Sequence, residues 1–150
     1  MNVQDEIKAL KQRIAELEEQ NKYELFPQEG DDYCYTTMLG RVCHGSWDNL
    51  DSETKMLELG NIYRTEEEAE FDVEKKKVET ELRKYSRPFK YGDWNFEILW
   101  NNHENKIELD WSGYVVRQSV IYFESGEVAE KAIEAVGKER IKKYIFGMED

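Results

Sequence analysis

The sequence predicts an α+β fold: an N-terminal coiled-coil helix, then a duplicated β-hairpin-plus-helix unit whose strands form antiparallel sheet. Three observations carry that expectation. Val3, Ile7, Leu10, Ile14 and Leu17 recur at alternating intervals of four and three, the spacing of a heptad seam. Apolar and polar residues alternate from Trp94 to Trp100 and again from Lys106 to Trp111, the period of a half-buried strand pair. Finally, "NIYRTEEEAEFDVEKKK" lies over "VIYFESGEVAEKAIEAVG" at a shift of about sixty residues.

The seam spans residues 3–24 of a predicted oligomerisation helix, residues 1–25. Ile7 and Ile14 at a with Leu10 and Leu17 at d favour a parallel two-stranded coil. In such a pair Glu6 faces Lys11 of the second chain and Arg13 faces Glu18, both attractive contacts. Pro27 forbids continuation of the helix. The predicted body, residues 32–150, divides into related halves at 32–86 and 93–146. In the first half, Tyr33 to Thr37 and Arg41 to Trp47 read as strands about a turn at Leu39 and Gly40. A connector, Asp48 to Leu59, reads as loop.

The following helix opens at Thr65, whose spacing to Glu68 is that of a capping box. Ser125 occupies the matching place in the second half, with Val128 where the acid would be, so it is expected to cap alone. The superposition also pairs Tyr63 with Phe123, Ala69 with Ala129 and Val73 with Ile133. Ser86 to Gly92 joins the halves. In the second hairpin, a turn at Asn101 to Glu104 would pair Ile98 with Ile107, Phe96 with Leu109 and Trp94 with Trp111 on one apolar face. That places Trp94, Trp100 and Trp111 in the core. Tyr114 to Gln118 then reads as a third strand, its alternative being a contact surface. Gly137 is expected to break the last helix in two.

Composition narrows the function. The net charge is −12 and no long stretch reverses its sign, so direct binding to nucleic acid, which needs a basic face for phosphate contacts, is disfavoured. Charged residues reach 36%, yet aromatics reach 13%, more than a disordered acidic chain carries. No stretch is apolar enough for a membrane span, and the start lacks the basic and apolar regions of a signal peptide. A cytoplasmic setting is therefore expected, with Cys34 and Cys43 as reduced thiols.

Catalytic motifs are missing: the sequence has no HExxH, glycine-rich phosphate loop, GxSxG or CxxC. Cys34, Cys43, His44 and His103 have the spacing of ordinary strand and turn residues rather than of a zinc site. Neither a metal nor a cofactor is expected, and no catalytic residue is assigned. The candidate ligand-binding residues are Arg41, His44, Trp47, Tyr114 and Arg117. Arg41 and Arg117 are isolated cations able to pair with a phosphate or carboxylate. Trp47 ends a strand near His44 and offers an indole face, while Tyr114 lies on a connector of the kind that carries binding residues.

As a set, the coiled-coil start, "DDYCYTT-GRVCHGSWD", "LGNIYRTEEEAE" and "VIYFESGEVAEKAIEAVGKERIKKYIFG" resemble a group of small accessory proteins of phages and prophages of low-GC Gram-positive bacteria. The resemblance covers most of the chain and carries no catalytic residue with it. It implies a non-catalytic oligomer that inhibits a host or anti-phage defence system, by sequestering a small nucleotide signal or occluding a host protein, in the host cytoplasm. The expected partners are therefore a second copy through residues 3–24 and a defence protein or nucleotide signal. Two alternatives stand beside it: an acidic nucleic-acid mimic, supported by the net charge, and a small metal-dependent hydrolase.

Overall fold

A computed structural model describes residues 2–22 and 25–149; the ends of the predicted stalk at Met1, Tyr23 and Glu24 lie outside them, as does Asp150. Among the described residues are five helices and two two-stranded antiparallel sheets, an α+β fold. The order is α1 (Val3–Lys22), β1 (Asp32–Thr36), β2 (Val42–Ser46), α2 (Asp51–Glu58), α3 (Glu66–Arg83), β3 (Asn95–Asn101), β4 (Lys106–Ser112), α4 (Gly126–Val136) and α5 (Lys138–Tyr144). None of the described helices is long and apolar enough to cross a membrane.

The chain forms two compact units. One comprises Met1–Tyr35 and Cys43–Thr65; the other comprises Thr36–Val42 and Glu66–Asp150. The division cuts across the repeat seen in the sequence, because α3, the helix of the first half, packs with α4 and α5 of the second.

In the first unit, α1 begins where the Asn2 side chain accepts a hydrogen bond from the Asp5 N–H at 2.9 Å, satisfying one of the donors that a helix start leaves open. Its seam residues Val3, Ile7, Leu10, Ile14 and Leu17 are all exposed. The connector expected as loop contains α2. Glu53, at the third helical position, reaches back to accept from the Leu50 and Asp48 N–H groups at 3.0 and 2.9 Å. That is half of a capping box, made without a hydroxyl cap residue. Cys34 and Tyr63 exchange backbone hydrogen bonds of 2.9 Å in both directions, adding a one-residue third strand to the hairpin.

The second unit repeats this device. Phe96 and Phe123 exchange two bonds of 2.9 Å, and Tyr63 and Phe123 are residues the sequence superposition pairs. Each precedes by two residues the hydroxyl residue before a helix. Ser125 accepts from the Val128 N–H at 3.1 Å, capping α4 alone, and α3 starts directly after Thr65. The superposed alanines Ala69 and Ala129 are both fully buried. Gly137, at φ +101°, separates α4 from α5; this left-handed conformation is one that glycine adopts without a Cβ penalty.

The core of this unit gathers Val78 and Leu82 from α3, Phe123, Ala129, Ala132, Ile133 and Val136 from α4 and its approach, and Ile141 from α5. The apolar face of the β3–β4 hairpin, Phe96, Ile98, Ile107 and Leu109, packs against it. The register differs from the expected one by two residues: Phe96 lies opposite Trp111, Ile98 opposite Leu109 and Trp100 opposite Ile107. The turn is Asn102 to Asn105 rather than Asn101 to Glu104. Asn101 is the reason, since it pairs with Lys106 while its Oδ1 accepts from the His103 and Glu104 N–H groups at 3.0 Å each. Asn105 takes the left-handed position at φ +54°, which asparagine tolerates. A shift of two keeps every side chain on its expected face, but it moves Trp94 beyond the paired strand. Residues Tyr114 to Gln118, expected as a third strand, are irregular; the third position beside β3 goes to Phe123.

Candidate functional site

The open end of the second hairpin carries a cluster of exposed aromatic rings. Trp94 is 55% exposed and Trp111 52%, although the sequence places both in the core; Tyr91 is 81% and Tyr114 72% exposed. Apolar surface of this kind on one spot marks an interaction site more often than scattered exposure does. The two indoles lie 4.1 Å apart between centroids and the two phenol rings 5.4 Å apart, the latter edge to face. Trp94 also stacks near-parallel on Phe96 at 6.2 Å. Val115 and Val116, which follow Tyr114 in the chain, are exposed as well.

Buried polar groups hold these rings in place. Asn95 is fully buried. Its Oδ1 accepts from the Lys90 N–H and from Arg87 Nη1, both at 2.8 Å, and its Nδ2 donates to the carbonyls of Lys90, Asp93 and Ser112 at 2.8 to 3.0 Å. Arg87 Nη2 donates to the Trp94 carbonyl at 2.7 Å. The chain from Arg87 to Asn95 is thereby tied to the end of β4, with Trp94 fixed at its edge. On the other strand, Ser112 Oγ accepts from the Tyr114 and Val115 N–H groups at 3.3 and 3.0 Å, which sets the direction of the chain carrying Tyr114. Gly113 belongs to this design, because a Cβ there would meet the Asp93 carbonyl at 3.3 Å.

Arg117 is engaged beside this cluster. It pairs with Glu97 at 2.7 Å and approaches Asp110 at 3.8 Å, and its backbone N–H donates to the Tyr122 hydroxyl at 2.8 Å. Burial pushes the Glu97 carboxyl above its usual range; Arg117 draws it back and Asp110 adds to the upward push. A guanidinium held this way contributes first to the fold, and a ligand carboxylate or phosphate would compete with Glu97 for it.

The other sequence candidates lie elsewhere. Arg41 is exposed beside the turn of the first hairpin. His44 is exposed on β2, its Nδ1 3.4 Å from the buried Cys34 Sγ. Trp47 is 4% exposed, edge-on to Tyr33 at 6.0 Å, with its indole N–H donated to Asn49 Oδ1 at 2.8 Å. This corrects the expectation of a stacking face: the Trp47 indole is buried against Tyr33 and tied to Asn49. Beside it, Tyr33 is pushed up to about 12 by burial and by its hydrogen bond to Glu53. Burial alone would raise Glu53, but the Leu50 and Asp48 N–H groups and the Tyr33 hydroxyl outweigh it and hold the carboxyl below its usual range. A Cβ on Gly45 would come within 2.7 Å of the Tyr33 ring and hydroxyl.

Of the five candidates, only Tyr114 joins the aromatic cluster. Sequence reasoning missed Tyr91, Trp94 and Trp111. The available signal was that both ends of the hairpin carry a Tyr beside a Gly, Tyr91-Gly92 and Gly113-Tyr114, a pattern of close backbone approach; Gly92 N–H does donate to the Gly113 carbonyl at 2.8 Å. Among the described residues, no group of three or more His, Cys, Asp or Glu is placed to hold a metal ion. No protein-family profile, curated protein or solved structure matches the chain.

Proposed function

We propose that this protein is a non-catalytic, self-associating binding protein of the phage accessory type, which inhibits a host or anti-phage defence component by occupying it. The supporting observation is the preorganised aromatic surface of Tyr91, Trp94, Trp111 and Tyr114. Exposing two tryptophans costs stability, and a buried polar network maintains that exposure. Aromatic anchors of this type dominate binding energy at interfaces and also stack on flat ligands, so the surface suits either a defence protein or a nucleotide signal. The exposed seam of α1 supports self-association, which would present the surface more than once.

The test is phage plating on hosts that carry defined defence systems and express this protein. Plating is expected to recover at least tenfold against one of those systems, and Trp94→Ala combined with Trp111→Ala is expected to abolish the recovery while circular dichroism stays unchanged. Native mass spectrometry of protein recovered from the protected cells identifies the bound nucleotide or host protein. Recovery against none of the systems, or full recovery with the double variant, overturns the proposal.

A further inference from the structure

The free edge of β4 faces an open groove, and the polarity of that edge follows from the pairing on the far side of the sheet. Phe96 directs both its N–H and its C=O to Phe123, away from β4. In an antiparallel ladder, residues alternate between pointing their polar groups toward one neighbour and toward the other. The pairs Phe96–Trp111, Ile98–Leu109 and Trp100–Ile107 are therefore the non-hydrogen-bonded ones. On β4, the N–H and C=O groups of Ile107, Leu109 and Trp111 consequently point outward, and among the described residues β4 pairs with β3 alone. A long, unpaired strand edge is a template for a further strand.

The groove beside this edge has a volume of ≈ 800 Å³. Its floor is Ile107, Leu109 and Ile133, and its far side is α4, which presents Glu130, Ile133 and Glu134 at one-face helical spacing, with Gly137 and Lys138 following the helix. Glu130, Glu134 and Lys138 are exposed. The geometry points to strand addition: an extended segment of a partner protein, alternating apolar with basic residues, pairs with β4 and fills the groove between it and α4. Main-chain bonds to Ile107, Leu109 and Trp111 supply affinity, apolar side chains reach the floor, and the alternate Lys or Arg side chains, on the opposite face of the sheet, lie beside the partly exposed Glu108 and Asp110 of β4. Trp111, exposed at the end of the edge, continues this surface into the aromatic cluster.

A second copy of β4 fits less well. Its fullest antiparallel registers set Glu108 opposite Asp110 or opposite a second Glu108, and like charges directly opposite are destabilising. The inference rests on the binding function proposed above and commits it to a protein partner at this edge.

The probe is an end-blocked peptide alternating Lys and Val, about seven residues to match β4. Its control carries N-methyl groups on the residues whose N–H would face the strand, so its charge is the same and its backbone donors are removed. Amide exchange is read by NMR on the full chain. The Lys–Val peptide is expected to slow exchange at Ile107, Leu109 and Trp111 at least tenfold, and the N-methylated peptide to leave it unchanged. Glu108→Lys with Asp110→Lys is expected to weaken peptide binding at least tenfold while protection of the core amide of Phe123 persists. Equal binding of the N-methylated peptide, or binding without protection of those three amides, overturns the inference. So does peptide-independent protection there that grows with protein concentration, because a second copy would then occupy the edge. No host component enters this experiment, so its failure and a failure of the plating test are read independently.

Discussion

Asn95 satisfies five polar partners from a site with no solvent access. Truncation to Ala would leave buried backbone groups unpaired, at about 1–3 kcal/mol for such a loss. Asn95→Ala is expected to lower stability by about 2–4 kcal/mol in urea titration, and to release Trp94, seen as a change in tryptophan fluorescence before global unfolding. Tyr33 gives a pH signature. Its folded value, about 12 against 10.0 unperturbed, means that the folded state keeps the proton after the unfolded state has lost it. Its contribution is complete below pH 10 and declines as pH rises toward 12. Stability is therefore expected to fall across that interval in the wild type and to fall less in Tyr33→Phe, measured by denaturant midpoints. Neither role was legible in the sequence. Alternation shows that Asn95 faces away from the apolar side, but its partners Lys90, Asp93 and Ser112 are set by how the chain turns. Likewise Trp47 reads as a binding aromatic until Tyr33 and Asn49 are brought to it.

At the scale of elements, short-range chemistry was the legible part. The N-terminal helix, the Ser125 cap and the Gly137 break are written in adjacent residues, and each stands where it was expected. The hairpin register depended on which asparagine begins the turn, and Asn101 and Asn102 are indistinguishable by residue type. The structure resolves this through the Asn101 side chain and the left-handed Asn105. Asn105→Val is expected to cost about 1–2 kcal/mol, because a β-branched residue resists that conformation, whereas Asn105→Gly is expected to be close to neutral; thermal melts of the two variants make the comparison. Helix α2 was missed for a related reason. Its start is satisfied by Glu53 from inside the helix, so no hydroxyl cap advertised it.

Across the whole molecule, two features set what the protein can associate with. Five apolar seam residues of α1 are exposed on one helix, and at roughly three heptads such a helix is marginal alone. Ile7→Lys with Ile14→Lys is expected to give folded single protomers in sedimentation experiments, with circular dichroism of the body retained; undiminished association would place the contact elsewhere. The duplicated plan was legible from the caps and the superposed residues, but the packing of its helices was not, since α3 finds its partners in the half that follows it. That arrangement bears on how the chain folds as it is made. Val78 and Leu82, two of the largest fully buried side chains, leave the ribosome well before Phe123 and Ile141 that enclose them. Until then the α3 segment has no apolar partners to pack against, and the second core closes only after Ile141 has been made.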